Sequence, residues 1–144
     1  MSELFNVRAA LRQRLLQVAG LPTGHAWENE GYDPTPGTPW LKEKLMPAST
    51  TVASFGSNGA SDGLLRDDGV WQITVFYPAG KGTKAAEQMA SAICQAFRPG
   101  LSGFMTYGET TVVSRKAQAG PAMPEPDWYG IPISVTYYLH RPNS

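Results

Sequence analysis

Residues 75–88 read VFYPAGKGTKAAEQ, and two different folds depend on how this stretch is taken. A strand-like run closes at Pro78 and a helix-like run opens near Thr83, with Gly80-Lys81-Gly82-Thr83 between them. Those are the residue types of a nucleotide kinase phosphate loop, in a strand-to-helix setting. The spacing decides against it. Such a loop needs another glycine five residues before the Gly-Lys pair, so that successive backbone N–H groups wrap the phosphates. That position is Val75, in mid-strand, and Pro78 has no N–H to give. The simpler reading is a connection: Pro78 ends the strand, Gly80 and Gly82 turn the chain, and Thr83 caps the helix. Glu87 then lies in the first helical turns, where it favours the helix dipole.

Working outward, residues 70–77 (VWQITVFY) alternate, with Trp71, Ile73, Val75 and Tyr77 on one face and Gln72 and Thr74 on the other. The helix after the turn is expected over 83–97, burying Ala86, Met89, Ala90, Ile93 and Phe97, and ending at Pro99-Gly100. A first amphipathic helix is expected over 2–19. Ser2 caps it, Leu4, Val7, Leu11, Leu15 and Val18 form its stripe, Arg8 and Arg12 lie off that stripe, and Gly20 and Pro22 stop it. Residues 25–28 suggest a short strand, and GYDPTPGTP at 31–39 excludes regular structure. In 40–46 (WLKEKLM), Leu41, Glu43 and Leu45 face one way and Trp40, Lys42, Lys44 and Met46 the other. Residues 47–69 read as a long loop, and loops of that length usually carry function. Further strands are expected over 110–117 and 128–140, the latter presenting Tyr129, Ile131, Ile133, Val135, Tyr137 and Leu139 on one face. Pro132 removes a ladder donor there and suggests an edge or a bulge. The expected fold class is α+β in a single domain over 1–144: a mainly antiparallel sheet of four to five strands, two helices packed on one face, and long loops.

The 144 residues suffice for one domain with a real core, and formal net charge is zero, which argues against a strong nonspecific grip on DNA or an anionic membrane. No apolar run reaches the ~20 residues of a membrane helix, and the N-terminal segment lacks a secretory pattern, so a soluble chain made in a cytoplasm is expected. Cys94 is the single cysteine, which excludes an internal disulfide and a cysteine-based zinc site. Beside the second helix's apolar stripe it reads as a structural thiol. His25 and His140 are far apart, Glu28 with Glu30 and Glu125 with Asp127 border loops, and no nucleophile elbow is present. No catalytic residue, cofactor or metal ligand is expected. Trp40 and Trp128 fall on the opposite strand parity from the other strand aromatics; they either pack on the proline-rich loops or meet a neighbouring subunit.

Several stretches together resemble a known family: the first helix ending at GLP; a tryptophan in an early short strand; PWLKEKLMPASTTVASFG at 39–56; GVWQITVFYPAGKGTKAA at 69–86; and DWYGIPISVTYYLHR at 127–141. Over about residues 4–140 the chain resembles the tail terminator-like proteins of tailed bacteriophages. Glu43 stands where an apolar strand residue is expected. The resemblance implies a non-catalytic virion protein that forms a ring, hexameric by expectation. The ring would cap the head-proximal end of the tail tube, stop its polymerisation and dock the head connector, with genomic DNA passing through without sequence recognition. It implies homo-oligomer, tube and connector partners and no membrane. Interface candidates are Phe55, Leu64, Leu65, Arg66, Trp40, Arg115, Lys116 and Trp128, with the 47–69 segment expected to contact the tube axially. For Arg66, Arg115 and Lys116 a solvated surface position is the competing reading. Another neck or tail-completion adaptor, a nucleotide-binding enzyme using Lys81, or a bacterial domain with no phage role are the alternatives.

Overall fold

The computed structural model describes residues 3–56 and 59–143, with side chains described for 4–56 and 63–143. The elements run α1 (Glu3–Leu15), β1 (Gly24–Ala26), β2 (Trp40–Gly56), β3 (Gly59–Pro78), α2 (Lys84–Ala96), β4 (Phe104–Tyr107), β5 (Thr110–Ala119), β6 (Met123–Pro124) and β7 (Trp128–Pro142). Seven strands form one sheet in the order β1-β2-β3-β7-β5-β4, with β6 beside β7. The β1–β2 pair is parallel and the others are antiparallel.

The α+β expectation of four to five strands is overturned: the protein is mostly sheet, 50% strand against 21% helix, curled as a mixed half-barrel. Much of the difference lies in 47–69, which is no loop. There β2 and β3 continue past the body of the sheet as an antiparallel ribbon, paired from Pro47↔Gly69 out to Gly56↔Gly59, with register shifts at Pro47/Ser49, Val52/Ser54 and Ser54/Gly56. Strand β7 supports the root of this arm as far as Leu64↔Pro142.

The core follows the alternation read from the strands. Leu41, Leu45, Trp71, Ile73, Val75, Ile131, Ile133, Val135, Tyr137 and Leu139 are buried with Val7, Ala10, Leu11 and Leu15 of α1 and Ala86, Met89, Ala90 and Ile93 of α2. Helix α1 is shorter than expected, and Leu4, assigned to its stripe, is 56% exposed. Thr83 occupies the N-cap position of α2 without a side-chain cap; its hydroxyl bonds the Glu87 carboxylate instead, at 3.2 Å. Gly80 and Gly82 have φ of 81° and 82°, the left-handed conformations that a turn here requires of glycine.

Pro132 lies within β7, a central strand, paired with Thr74 of β3. It is neither at an edge nor at a bulge of that ladder. Its carbonyl accepts the Gly120 N–H at 2.7 Å, on the side away from β3. A strand residue points N and O to the same side, so the missing donor faces the gap where β5 has ended, at Ala119↔Ile133, and β6 begins, at Met123↔Gly130. The proline therefore costs no ladder bond to β3.

Glu43 faces inward between Leu41 and Leu45, with its side chain fully buried. Its carboxylate accepts from Arg12 Nε and Nη2 and from the indole of Trp71 at 3.0 Å. The Glu28 backbone N–H donates to it at 3.3 Å, and Arg8 Nη1 lies 3.2 Å away. Burial pushes this carboxyl up, yet the bonds from Arg12, Trp71 and Glu28, with the Arg12 charge, outweigh that and hold it below the usual range. Arg8 and Arg12 stand one turn apart on α1, so both reach the same acceptor. Glu28 bonds Arg8 at 2.9 Å and takes the Leu45 N–H at 3.0 Å. A buried ion network thus fastens α1 to the sheet.

Candidate assembly interface

The described residues contain no cluster of metal-ligating side chains, and no helix is long and apolar enough to cross a membrane. What the surface does carry is unpaired apolar area. On the arm, Phe55 is 72% exposed, Val52 45% and Leu64 41%. A second group lies on α1, the turn after it and β4: Leu4, Phe5, Leu16, Phe104 and Tyr107 are exposed, and Phe5 meets Tyr107 edge-on at 6.0 Å.

On its β2 side the arm owes its strand state to pairing, since residues 47–55 are all exposed. Residues 47–61, PASTTVASFGSNGAS, are fifteen positions without a charge, in a chain that is 17% charged. Exposed strand edges are normally guarded by charges, prolines or cover. This ribbon carries one proline, at its root, and beyond Ala26↔Lys42 the outer edge of β2 has no strand partner among the described residues.

At the arm's root the charges are paired with one another. Asp68 takes Arg66 in a two-bond fork, at 3.0 and 3.2 Å, and Arg115 at 3.2 Å. Asp67 takes the Thr50 hydroxyl at 2.6 Å and Arg141 Nε at 2.7 Å. The Arg66 bonds, opposed by burial, together with the Arg66 and Arg115 charges hold the Asp68 carboxyl below the usual range. Arg66 also sits 4.2 Å over the Tyr138 ring.

Beside this cluster, next to the first described turn of α1, lies a groove of about 500 Å³. Leu4, Val7, Tyr137 and Leu139 line it, with Asp67 and Arg141 among its polar groups and the arm's root at its border. Burial, and after it Asp67, push the Tyr137 hydroxyl up to about 12, so the phenol stays neutral in the groove.

Of the residues singled out from sequence, Phe55, Leu64 and Leu65 stand on the arm, and Arg66 and Arg115 converge on Asp68. Lys116 is exposed on β5. Trp40 and Trp128 belong to a separate cluster: Trp40 stacks on Phe76 at 4.3 Å, meets Trp128 edge-on at 5.9 Å and Tyr32 of the proline-rich segment at 5.5 Å. Sequence reasoning passed over the groove, whose residues come from four separate stretches, and Asp67 and Asp68, which fell within the expected 47–69 loop. The tip residues 57 and 58 lie outside the described residues.

Comparison with known proteins follows the same direction as the geometry. The model of the phage tail terminator protein family matches residues 6–137. Among solved structures, one chain is 27% identical, with 96% of each chain covered and a TM-score of 0.70. A chain in the virion of a native gene transfer agent particle is 19% identical, with 97% of this chain and 98% of that one covered and a TM-score of 0.56, a likeness of fold. No protein of curated function matches the sequence significantly.

Proposed function

We propose, since this chain belongs to the phage tail terminator family, that it closes the head-proximal end of the tail tube. The family is one of structural phage tail proteins, and the chain's place is the virion tail. The finer reading is that copies assemble into a ring, hexameric by expectation, which stops tube polymerisation and offers its other face to the head connector. Genomic DNA passes through the lumen without sequence readout, in keeping with a zero formal net charge.

The observation that carries this reading is the arm. An arm with Phe55, Val52 and Leu64 in solvent adds little to the chain's own core; its apolar area gains a purpose when other subunits cover it. A cyclic ring needs two different patches on each subunit, because each meets the next in a head-to-tail contact.

The test uses the purified protein, alone and with tail tubes assembled from a purified phage tail tube protein. Light scattering and electron microscopy should show a ring-sized oligomer, or density at one tube end together with arrested tube growth. A protein that stays monomeric at high concentration and leaves tube ends and tube lengths unchanged would overturn the proposal.

A further inference from the structure

We infer that the sheet face opposite the two helices is the surface this protein turns to the phosphate backbone of duplex DNA, with Lys42, Lys44 and Lys116 as its free charges. This rests on the reading that the genome passes through the assembly, and it names the face that lines the passage.

Three observations carry it. The first is charge segregation. Lysine plus arginine and aspartate plus glutamate number 12 each, so the chain is formally neutral. The two faces of the sheet do not share that balance. Both helices pack on the face of Leu45, Trp71, Ile73, Val135 and Tyr137. Residues of the opposite parity turn to the other face. There, over the body of the sheet, Lys42, Lys44, Arg66, Arg115 and Lys116 stand against one carboxylate among the described side chains, that of Asp68. Arg66 and Arg115 already neutralise Asp68. Lys42, Lys44 and Lys116 are exposed and have no carboxylate partner among the described residues.

The second is the kind of neutral group between the lysines. The register sets Lys44, Gln72, Ser134 and Gln118 abreast on four strands, with Thr136 beside Lys116 in the next row. The side chains of Gln72, Gln118, Ser134 and Thr136 make no hydrogen bond among the described residues. Lys116, Gln118, Ser134 and Thr136 line a pocket of about 210 Å³, with room for a phosphate group and no carboxylate in its wall. Lysines, hydroxyls and side-chain amides are the groups that hold DNA phosphates. Protein interfaces are instead depleted in lysine and serine and built on aromatic anchors. None of the large exposed apolar side chains lies in these rows.

The third is spacing. Lys44 on β2 and Lys116 on β5 stand three strands apart, roughly 14 Å across the sheet. They are too distant to share one small anion. They suit a ligand whose charge repeats, and duplex DNA carries one charge per ~1.7 Å of its axis. Three free lysines on a neutral chain make the contact weak and salt-sensitive, a surface along which DNA slides.

The experiment is fluorescence anisotropy with two labelled 20-base-pair duplexes of unrelated sequence, using the protein alone and on tail tubes, from low to physiological salt. The face variant is Lys44→Ala with Lys116→Ala. The control, Lys81→Ala with Lys84→Ala, removes the same charge from the turn before α2. All four lysines are exposed, so both variants should melt as the parent does. The parent should bind both duplexes equally, with log K falling against log salt at a slope of about −3 for each engaged copy. The face variant should bring that slope to about −1 and weaken binding at low salt by about tenfold or more, while the control stays with the parent. Equal weakening by both variants would show net charge alone at work and overturn the inference. A parent that caps tubes but binds neither duplex at low salt overturns it while the terminator reading stands. A parent that binds neither duplex, with a face variant that no longer caps tubes, also overturns it and assigns the face to an acidic protein surface. Binding through this face by a protein that leaves tube ends unchanged supports the surface and overturns the capping reading.

Discussion

Truncating Glu43 to alanine tests whether the buried carboxylate fastens α1 to the sheet. The side chain is fully buried and holds Arg12, Arg8, the Trp71 indole and the Glu28 N–H around one charge. Its loss leaves the indole N–H buried without a partner, about 1–3 kcal/mol by itself. Breaking a buried ion pair by removing one partner costs about 3–5 kcal/mol. Arg12 keeps 27% of its side chain in solvent, so its guanidinium rehydrates in part and the lower end applies. The expected loss for Glu43→Ala is about 3 kcal/mol, which at ~3 °C per kcal/mol for a domain of this size lowers Tm by about 9 °C. Calorimetry, or urea unfolding followed by tryptophan fluorescence, reads it directly. Glu43→Gln keeps the shape and one acceptor oxygen but places an amide N–H₂ against donors, so it should lose about half as much. In a double-mutant cycle, Glu43→Ala and Arg12→Ala should be non-additive by more than about 0.5 kcal/mol. A Glu43→Ala protein within about 1 kcal/mol of the parent, or strict additivity with Arg12→Ala, would refute the latch.

The same network sets an acid dependence. The Glu43, Glu28 and Asp68 carboxyls are all held below their ordinary values, Glu28 chiefly by the Leu45 N–H against the opposing effect of burial. Groups with lowered folded-state pKa contribute stability that is present above the unfolded value and is lost as pH falls through the folded one. Tm should be level above about pH 5 and fall below the ordinary carboxylate range near pH 4, with a shallower fall in Glu43→Gln; equal slopes would contradict the assignment. At Gly69 a Cβ would lie 2.4 Å from the Tyr137 hydroxyl and 2.6 Å from its Cζ, so Gly69→Ala must displace the ring that floors the groove. Denaturant titration should show a loss of about 1–3 kcal/mol. Lys81→Ala should melt as the parent does, and titration calorimetry with ATP and Mg²⁺ should be flat for both proteins; binding in the parent that the variant loses would restore the phosphate-loop reading.

Where a segment packs on the core, its sequence said so. The inward parity of Trp71, Ile73 and Val75, the span and buried face of α2, and the turn at Gly80 and Gly82 all follow from local rules of period and turn geometry. The 39–56, 69–86 and 127–141 stretches likewise sufficed to indicate the family that the 6–137 match establishes. Glu43 was visible as a charge at an inward position, but its partners were not. Arg8, Arg12, Glu28 and Trp71 are brought to it by the packing of a helix and a loop from elsewhere in the chain and by the pairing of β3 with β2. The arm was invisible for a different reason. Hydrophobic periodicity records burial on one face, and residues 47–55 are exposed on both, so they carry no period. Their strand state comes from ladder bonds to a β3 already anchored between β2 and β7. Pro132 shows the same division: its residue type forbids a donor, and the neighbouring strands alone decide whether one is needed. Local pattern determined which segments must be buried and where the chain turns; tertiary pairing decided what the unburied segments became, and so placed the groove beside the arm.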